Sequence, residues 1–172
     1  MHVLQAPDQK LRVKTKTIKK VNPELLKTFK EMIKLTKTFV DPEGVGLAST
    51  QVGLDGSYFV GMQPDNSFRV YINPVIIKLS KQTKIMTEGC LSIPNYWGEV
   101  KRHTWVDVKY MNENGDIIKE RLKGLSAHIY QHECDHLDGK LFMDHILQQK
   151  GRLFKVVGKD RAGGDIFEEV PL

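Results

Sequence analysis

The apolar residues in the first quarter of the chain recur at intervals of three and four positions. They occupy positions 25, 26, 29, 32, 33, 39 and 40, which lie on one face of an α-helix. Residues 22–24 (Asn-Pro-Glu) supply a capping side chain, a proline for the first turn and an acidic residue near the positive end of the helix. The pattern predicts an amphipathic helix over residues 23–40, ended by Asp-Pro-Glu-Gly at 41–44.

Short apolar runs in the middle of the chain are typical of β-strands. They predict strands near residues 58–62, 68–72 and 75–79. Residues 104–111 and 117–122 are predicted to pair as a hairpin, because the Asn-Gly pair at 114–115 favours the tight turn that joins antiparallel strands.

A second helix is predicted over residues 126–137, with Gly139 just past its end as a C-cap. The tail, about residues 147–172, contains glycines without helical periodicity and is predicted to be irregular or strand-like. Strands followed by a central helix indicate an α+β fold, with small antiparallel or mixed sheets packed around that helix. The length of 172 residues predicts a single domain.

Composition narrows the function classes without selecting one. With 40% hydrophobic and 27% charged residues, the chain is typical of a globular protein, and it has no apolar run long enough to span a bilayer. An opening without a signal-peptide pattern and a cysteine count of two predict a cytoplasmic protein. The net charge of +5, with lysines clustered at 14–20 and 78–84, predicts a solvated basic face with weak affinity for ribosomal RNA and no DNA binding.

Residues 132–136, His-Glu-Cys-Asp-His, carry the most specific chemistry in the sequence. On a helix, His132 and His136 stand one turn apart on the same face and could bind one divalent metal. Glu133 then lies beside the metal, where it could move protons on a bound water.

Two histidines do not complete a metal site, so a third ligand is needed. His128 is excluded, because eight residues of helix place it about 12 Å from His136; it is interpreted as lining a pocket beside the metal or as a packed histidine. Cys134 points roughly 200° away from His132 around the helix and is interpreted as a packed, inert cysteine. Cys90, in Glu-Gly-Cys-Leu-Ser at 88–92, is left as either the third ligand or a small buried hydrophobe.

Two protease families with the same pentapeptide do not fit. A metzincin carries a third histidine where this chain has Phe142. A thermolysin-like site needs a downstream glutamate on a second helix. The downstream glutamates here are Glu168 and Glu169, in the tail without helical pattern.

Three separated blocks resemble those of the peptide deformylase family. They are Gly-Val-Gly-Leu-Ala-Ser-Thr-Gln at 44–51, Glu-Gly-Cys-Leu-Ser at 88–92 and Gln-His-Glu-Cys-Asp-His at 131–136. Their order and spacing also agree, and the resemblance covers nearly all of residues 3–146. It implies an α+β metallohydrolase that removes the formyl group from N-formylmethionyl nascent peptides.

The resemblance also implies a role for each matching residue. Cys90, His132 and His136 would ligate the metal, Glu133 would carry the proton, and Gln51 together with the backbone amide of Leu91 would bind the oxyanion. The metal would be Fe(II) in the cell, with Zn, Ni or Co able to replace it.

The same resemblance implies a peptide site. Val45, Gly46 and Gly89 would pair with the extended peptide backbone. The methionine side chain would enter a pocket lined by Val45, Met86, Leu125, His128 and Ile129.

Three departures from the family pattern modify these expectations. Ser49 replaces the usual alanine and is expected to leave the Gln51 loop intact. His128 replaces an apolar residue, which suggests a more polar pocket with slightly pH-sensitive affinity, testable with a methionine analogue at about pH 5.5 and 8. The glycine-interrupted tail argues against the basic C-terminal helix with which many bacterial members dock on the ribosome.

Two other readings stay open on the sequence. One is a relative that binds formylated or acetylated N-termini without cleaving them. The other is a structural zinc site formed by Cys90, His132, Cys134 and His136, which the direction of Cys134 argues against.

Overall fold

The computed structural model describes residues 1–40 and 42–172, and within them three helices and nine strands form an α+β fold. The helices are α1 (Pro23–Thr36), α2 (Gly124–Leu137) and α3 (Phe142–Gln149). The strands are β1 (Gly46–Ala48), β2 (Tyr58–Met62), β3 (Phe68–Leu79), β4 (Thr83–Cys90), β5 (Ile93–His103), β6 (Trp105–Met111), β7 (Ile117–Lys123), β8 (Leu153–Lys159) and β9 (Asp165–Val170). The predicted fold class is confirmed.

The strands form two antiparallel sheets, and α2 packs on the larger one. This sheet has five strands in the order β1-β2-β3-β6-β7. Ala127, Tyr130 and Leu137 of α2 are buried against it. Phe59 and Tyr71 on the sheet form edge-to-face contacts with Tyr130 at ring-centroid distances of 5.2 Å, a geometry that aromatic rings prefer. The aromatic cluster fixes the position of α2.

The second sheet has four strands in the order β4-β5-β8-β9, and α3 packs on it. Its core contains Cys90, Phe142 and Ile146. Close packing requires a glycine at position 98 on β5, because a Cβ atom there would lie 1.9 Å from Cδ1 of Ile146. Cys90, at the carboxyl end of β4, thus packs beside α3.

The first predicted helix forms, but it ends at Thr36 instead of continuing to residue 40. Asn22 caps it as predicted, accepting a hydrogen bond from the Leu25 amide at 2.8 Å. The extension was wrong because the chain turns back onto the end of the helix: the Gly44 amide donates to the Phe39 carbonyl, and a Cβ atom on Gly44 would lie 2.2 Å from the Thr36 carbonyl oxygen. Val40 is accordingly 82% exposed. Asp41, part of the predicted stop signal, lies outside the described residues.

The remaining predicted elements differ mainly at their ends. The strand at 58–62 and the hairpin around 114–115 are confirmed, whereas 68–72 and 75–79 are one strand, β3, with two register shifts in its pairing with β6. Asn73 lies at the first shift: its φ is 50°, and its side-chain amide pairs with both backbone groups of Ile18. Helix α2 begins at Gly124, two residues before the prediction, and Gly139 has a φ of 71° just beyond its end.

The sequence pattern did not indicate β1, β4, β5 or α3. Residues 147–149 of the predicted tail belong to α3, and β8 and β9 form a hairpin in the rest of it. In the described part of the chain, no helix is long and apolar enough to cross a membrane.

Candidate metal centre

Two elements bring Cys90, His132 and His136 together. Cys90 is the last residue of β4, where the pairing with β5 shifts register after Gly89. His132 and His136 lie one turn apart on α2. The strand end and the helix face meet between the two sheets, in a buried position: Cys90 is 6% exposed and His136 is 1% exposed.

The distances among these side chains fit one metal ion. The Nε2 atoms of His132 and His136 are 3.2 Å apart, and Sγ of Cys90 is 3.3 Å from Nε2 of His136. Tetrahedral bonds of typical length to nitrogen and sulfur place such ligands about 3.3 Å (nitrogen to nitrogen) and about 3.6 Å (sulfur to nitrogen) apart. Among the described residues, this is the one group of three or more such side chains close enough to hold an ion.

The surroundings of Cys90 favour its thiolate. Burial opposes ionisation, but the two neighbouring imidazoles outweigh it and lower the pKa of Cys90 from 9.0 to about 5. A thiolate is the form of cysteine that binds a metal. The sequence alone left Cys90 between a ligand and a buried hydrophobe, and this geometry favours a ligand.

Glu88 holds the ring of His132 from behind. One carboxylate oxygen of Glu88 lies 2.8 Å from Nδ1 of His132, which leaves Nε2 directed at the other ligands. The same carboxylate accepts hydrogen bonds from Nε and Nη2 of Arg102 at 2.7 and 3.0 Å, and it contacts Nε2 of His128 at 2.8 Å. Although burial opposes it, these hydrogen bonds keep the pKa of Glu88 well below its usual range. A carboxylate behind a metal-binding histidine fixes its tautomer and orientation.

Arg102 extends this network to α3. Its Nη1 donates to Asp135 at 2.5 Å, and Asp135 lies 2.7 Å from Nε2 of His145. Arg102 is 6% exposed, so its charge is balanced inside the protein by two carboxylates. The sequence alone does not indicate a role for Glu88 or Arg102. The alternation of β4 could have indicated Glu88, which shares a strand face with Cys90, but no local signal links Arg102 to it.

Glu133 lies on the opposite side of the ligand group, against β1. It is 3% exposed, and its Oε2 has no hydrogen-bond partner among the described residues. Burial raises the pKa of Glu133 from 4.5 to about 7. Gly46 leaves room for it, because a Cβ atom there would lie 2.2 Å from Oε1 of Glu133 and displace the carboxylate.

Gln51 is oriented toward Cys90 by its own short helical turn, residues 49–52. Its Oε1 accepts the Ala48 amide at 2.8 Å, and its Nε2 lies 3.4 Å from Sγ of Cys90 and 3.1 Å from Oγ of Ser92. Ser49 in the same turn is fully buried and donates to the Gly56 carbonyl at 2.6 Å. The Gln51 side chain is thus held by bonds at both ends of its amide.

A cavity of about 270 Å³ opens beside these groups. Its walls include every residue predicted for the peptide site, together with five of the six predicted metal and catalytic residues: Val45, Gly46, Met86, Gly89, Leu125, His128, Ile129, Gln51, Cys90, Leu91, His132 and Glu133. The sixth, His136, is buried and does not line the cavity. Trp97 on β5 forms a further wall that sequence reasoning missed; a Cβ atom on Gly89 would lie 2.9 Å from its ring.

Cys134 does not take part in the ligand group. It packs against the aromatic core cluster between α2 and the five-stranded sheet, and it lines a different cavity, together with Asn73 and Leu137. Burial raises the pKa of its thiol well above 9.0. A four-ligand structural zinc site is therefore absent from the described residues.

Comparison with known proteins identifies the family. The polypeptide deformylase profile matches residues 1–152. The peptide deformylase of Thermotoga maritima is 38% identical over 148 residues, which are 86% of this chain and 88% of that one. The crystal structure of peptide deformylase from Thermotoga maritima superposes with a TM-score of 0.78 and 36% identity, over 84% of this chain and 95% of that one. A Met-Ala-Ser-bound peptide deformylase structure from Acinetobacter baumannii superposes with a TM-score of 0.76 and 28% identity, over 85% of this chain and 98% of that one.

The two lines of observation agree with each other. The profile and the relatives span all three sequence blocks, and the fold brings those blocks to one cavity. The chain belongs to the peptide deformylase family, metal-dependent hydrolases that remove the N-terminal formyl group from newly made polypeptides.

Proposed function

We propose that this chain hydrolyses the formyl group of N-formylmethionyl polypeptides at the centre formed by Cys90, His132 and His136. The observation that carries the proposal is that three possible ligand atoms meet beside one cavity together with the buried Glu133, whose Oε2 has no partner among the described residues. A purely structural metal site would have four protein ligands and no cavity.

The ligand set supports a single divalent ion, and the resemblance to the family is the reason for proposing Fe(II) in the cell. One thiolate and two imidazoles suit iron, zinc, nickel and cobalt alike, so the ion in the purified protein depends on its handling. When bound, such an ion lowers the pKa of an adjacent water and polarises the formyl oxygen.

Glu133 is assigned the proton transfer. It accepts a proton from the attacking water and then delivers it to the departing amine, so that formate leaves. A general base works best when its pKa is near the working pH, and burial raises the pKa of Glu133 to about 7.

Gln51 and Leu91 are assigned the oxyanion. The Gln51 amide is already fixed by Ala48 and Ser92, and its nitrogen faces Cys90. Leu91 follows Cys90 directly and lines the same cavity. Donors held in place before the reaction stabilise developing negative charge without reorganisation.

The peptide is proposed to bind between the edges of the two sheets. β1 ends one sheet and β4 ends the other, and both contribute to the cavity through Gly46 and Gly89. The free edge of a strand can pair with an extended peptide through main-chain hydrogen bonds, which tolerate different sequences. The first side chain would then enter the pocket formed by Val45, Met86, Leu125, His128 and Ile129. The Met-Ala-Ser complex of the Acinetobacter baumannii relative supports a peptide of this kind.

The cellular setting follows from the substrate. We propose that the chain acts on nascent formylated chains in the cytoplasm, and the net charge of +5 supports weak association with the ribosome. Residues 1–172 would act as one catalytic domain.

Anaerobic purification followed by metal analysis and an assay of formate release from formyl-Met-Ala-Ser tests the proposal. We expect one metal ion per chain and formate release that a chelator abolishes. Cys90→Ala should lose the metal, whereas the matched control Cys134→Ala should keep it. A fully loaded protein that releases no formate, or a Cys90→Ala variant that retains metal and activity, would contradict the assignment.

A further inference from the structure

His128 belongs to two parts of the site at once. It lines the cavity that is proposed to receive the first side chain. Its Nε2 also lies 2.8 Å from Oε1 of Glu88, the carboxylate whose other oxygen holds His132. One residue therefore contacts both the substrate pocket and the support of a metal ligand.

The carboxylate of Glu88 is fully used by these contacts. Oε1 meets Nε of Arg102 and Nε2 of His128, and Oε2 meets Nη2 of Arg102 and Nδ1 of His132. A carboxylate offers about four acceptor positions. His128 takes the last of them, so its loss would leave one position of a buried carboxylate open.

Packing alone does not account for a histidine at this position. His128 is 8% exposed, and its Nδ1 is buried without a hydrogen-bond partner among the described residues. An apolar side chain would fill the same space without an unpaired nitrogen. The contact with Glu88 is thus the interaction that orients the ring.

We propose that His128 is a positioning residue that links the first-residue pocket to the metal ligand His132 through Glu88. The inference rests on the proposed function, since it takes the cavity to be the pocket for the first substrate side chain. A side chain that fills the pocket contacts the His128 ring and adds to the restraint that the Glu88 contact already gives it. With a small side chain the ring is held by Glu88 alone, and Glu88 and His132 are held less firmly.

The consequence is that filling the pocket changes the metal environment and turnover as well as binding. A passive pocket would change binding alone, because interactions that are equal in the ground state and the transition state alter KM without altering kcat.

The cobalt(II)-loaded enzyme provides a readout that does not depend on activity. Saturating Met-Ala-Ser should shift its visible absorption bands more than saturating Ala-Ala-Ser does. In His128→Leu, which keeps an apolar wall but removes the donor, the two peptides should give equal shifts. His128→Gln, which retains an N–H group able to reach Glu88, should restore the difference.

Kinetics give the second readout. The ratio of kcat for formyl-Met-Ala-Ser to kcat for formyl-Ala-Ala-Ser should fall about fivefold in His128→Leu, while the ratio of KM values stays near that of the wild type. The matched control is Leu125→Ala, a cavity residue 54% exposed at the rim. It should alter KM and preserve the spectral difference between the peptides.

Three outcomes would overturn the inference. One is a spectral difference in His128→Leu as large as in the wild type, and another is its loss in Leu125→Ala. If His128→Leu does not retain cobalt, His128→Asn replaces it, because its side chain is too short to reach Glu88. This variant should lose the spectral difference between the two peptides that His128→Gln keeps. An equal spectral difference in His128→Asn and His128→Gln is the third outcome. A wild-type protein that releases no formate would refute the proposed function itself, whereas an active wild type with an unaltered His128→Leu would refute only the link.

Discussion

Two glutamates are buried on either side of the ligand group, and their surroundings are opposite. Glu88, 4% exposed, contacts nitrogen atoms of Arg102, His128 and His132. Glu133, 3% exposed, has an oxygen without a partner among the described residues. The pKa of Glu88 lies well below its usual range, whereas burial raises that of Glu133 to about 7.

Hydrogen bonding, and not burial, accounts for the difference between the pKa values of the two residues. Burial raises the pKa of both carboxyl groups, and only on the Glu88 side do donors outweigh it. Glu88 is therefore a permanently charged support, while Glu133 can gain and lose a proton near neutral pH. The difference agrees with the proposed roles, in which Glu88 supports a metal ligand and Glu133 transfers the proton.

The largest expected effect comes from removing the arginine that balances the charge of Glu88. Arg102→Met removes the charge that balances Glu88 and Asp135, and leaving a buried charge without its partner costs about 3–5 kcal/mol of unfolding free energy. Chemical denaturation of wild type and variant would measure it. A loss below about 1 kcal/mol would mean that Glu88 is not held as described.

On the other side of the ligand group, Glu133→Gln removes the proposed proton carrier while keeping the size of the side chain. We expect kcat/KM for formyl-Met-Ala-Ser to fall about 10²–10⁴-fold, because a positioned acid–base group contributes about that much. Metal content and folding should match the wild type, since the side chain at this position is not among the three ligands. Formate release and metal analysis check both points, and a fully active variant would remove Glu133 from its role.

Gly46→Ala perturbs Glu133 without changing its chemistry. The added Cβ would lie 2.2 Å from Oε1 and displace the carboxylate, so we expect a loss of about tenfold to a hundredfold in kcat with metal retained. Gly158→Ala is the matched control, because a Cβ atom there meets nothing within 4 Å. Equal activity of the two variants would show that Glu133 tolerates the displacement.

The raised pKa of Glu133 predicts a pH dependence of stability in the metal-free protein. Below pH 4.5 the group is protonated in both states, and between 4.5 and about 7 the folded protein binds more protons. The stability contributed by protonated Glu133 is therefore lost as the pH rises through 7. Relative to Glu133→Gln, the wild type should lose about 1–3 kcal/mol between about pH 5 and pH 8. A difference that is constant with pH, in denaturation series of both proteins, would contradict the raised pKa.

The smallest effect is expected for an exposed counterpart of the Arg102–Glu88 pair. Arg121 and Asp107 form the same two-bond arrangement at 2.6 and 2.8 Å on the surface of β6 and β7. Water and salt screen such a pair, so Arg121→Ala should unfold at nearly the wild-type temperature. Thermal unfolding of Arg121→Ala and Arg102→Met in parallel measures the contrast between the exposed and the buried pair. A comparable decrease of the unfolding temperature in both variants would contradict the expectation.

Local spacing accounts for the part of the site that the sequence could predict. His132, Glu133 and His136 lie within two turns of one helix, so their relative geometry is fixed by helical periodicity. Cys90 required the resemblance to a family, because it reaches the histidines only through the packing of β4 beside α2. The network from Glu88 through Arg102 and Asp135 to His145 joins four elements, and no local pattern indicates it.

The missed elements have a similar cause. β4 and β5 carry lysine, glutamate and arginine between their apolar residues, and Arg102 on β5 is buried by its ion pairs and not by hydrophobicity. A search for apolar runs passes over such strands. Helix α3 is eight residues long, too short for its periodicity to stand out.

The three proposed ligands come from different sides of the fold. Cys90 belongs to the four-stranded sheet, whereas His132 and His136 are carried by the helix that packs on the five-stranded sheet. A bound ion would act as a cross-link between the two layers, and binding confined to the native state adds to its stability. Removing the ion with a chelator should raise amide hydrogen exchange first at the carboxyl end of β4, while the backbone around the aromatic cluster of Phe59, Tyr71 and Tyr130 stays protected.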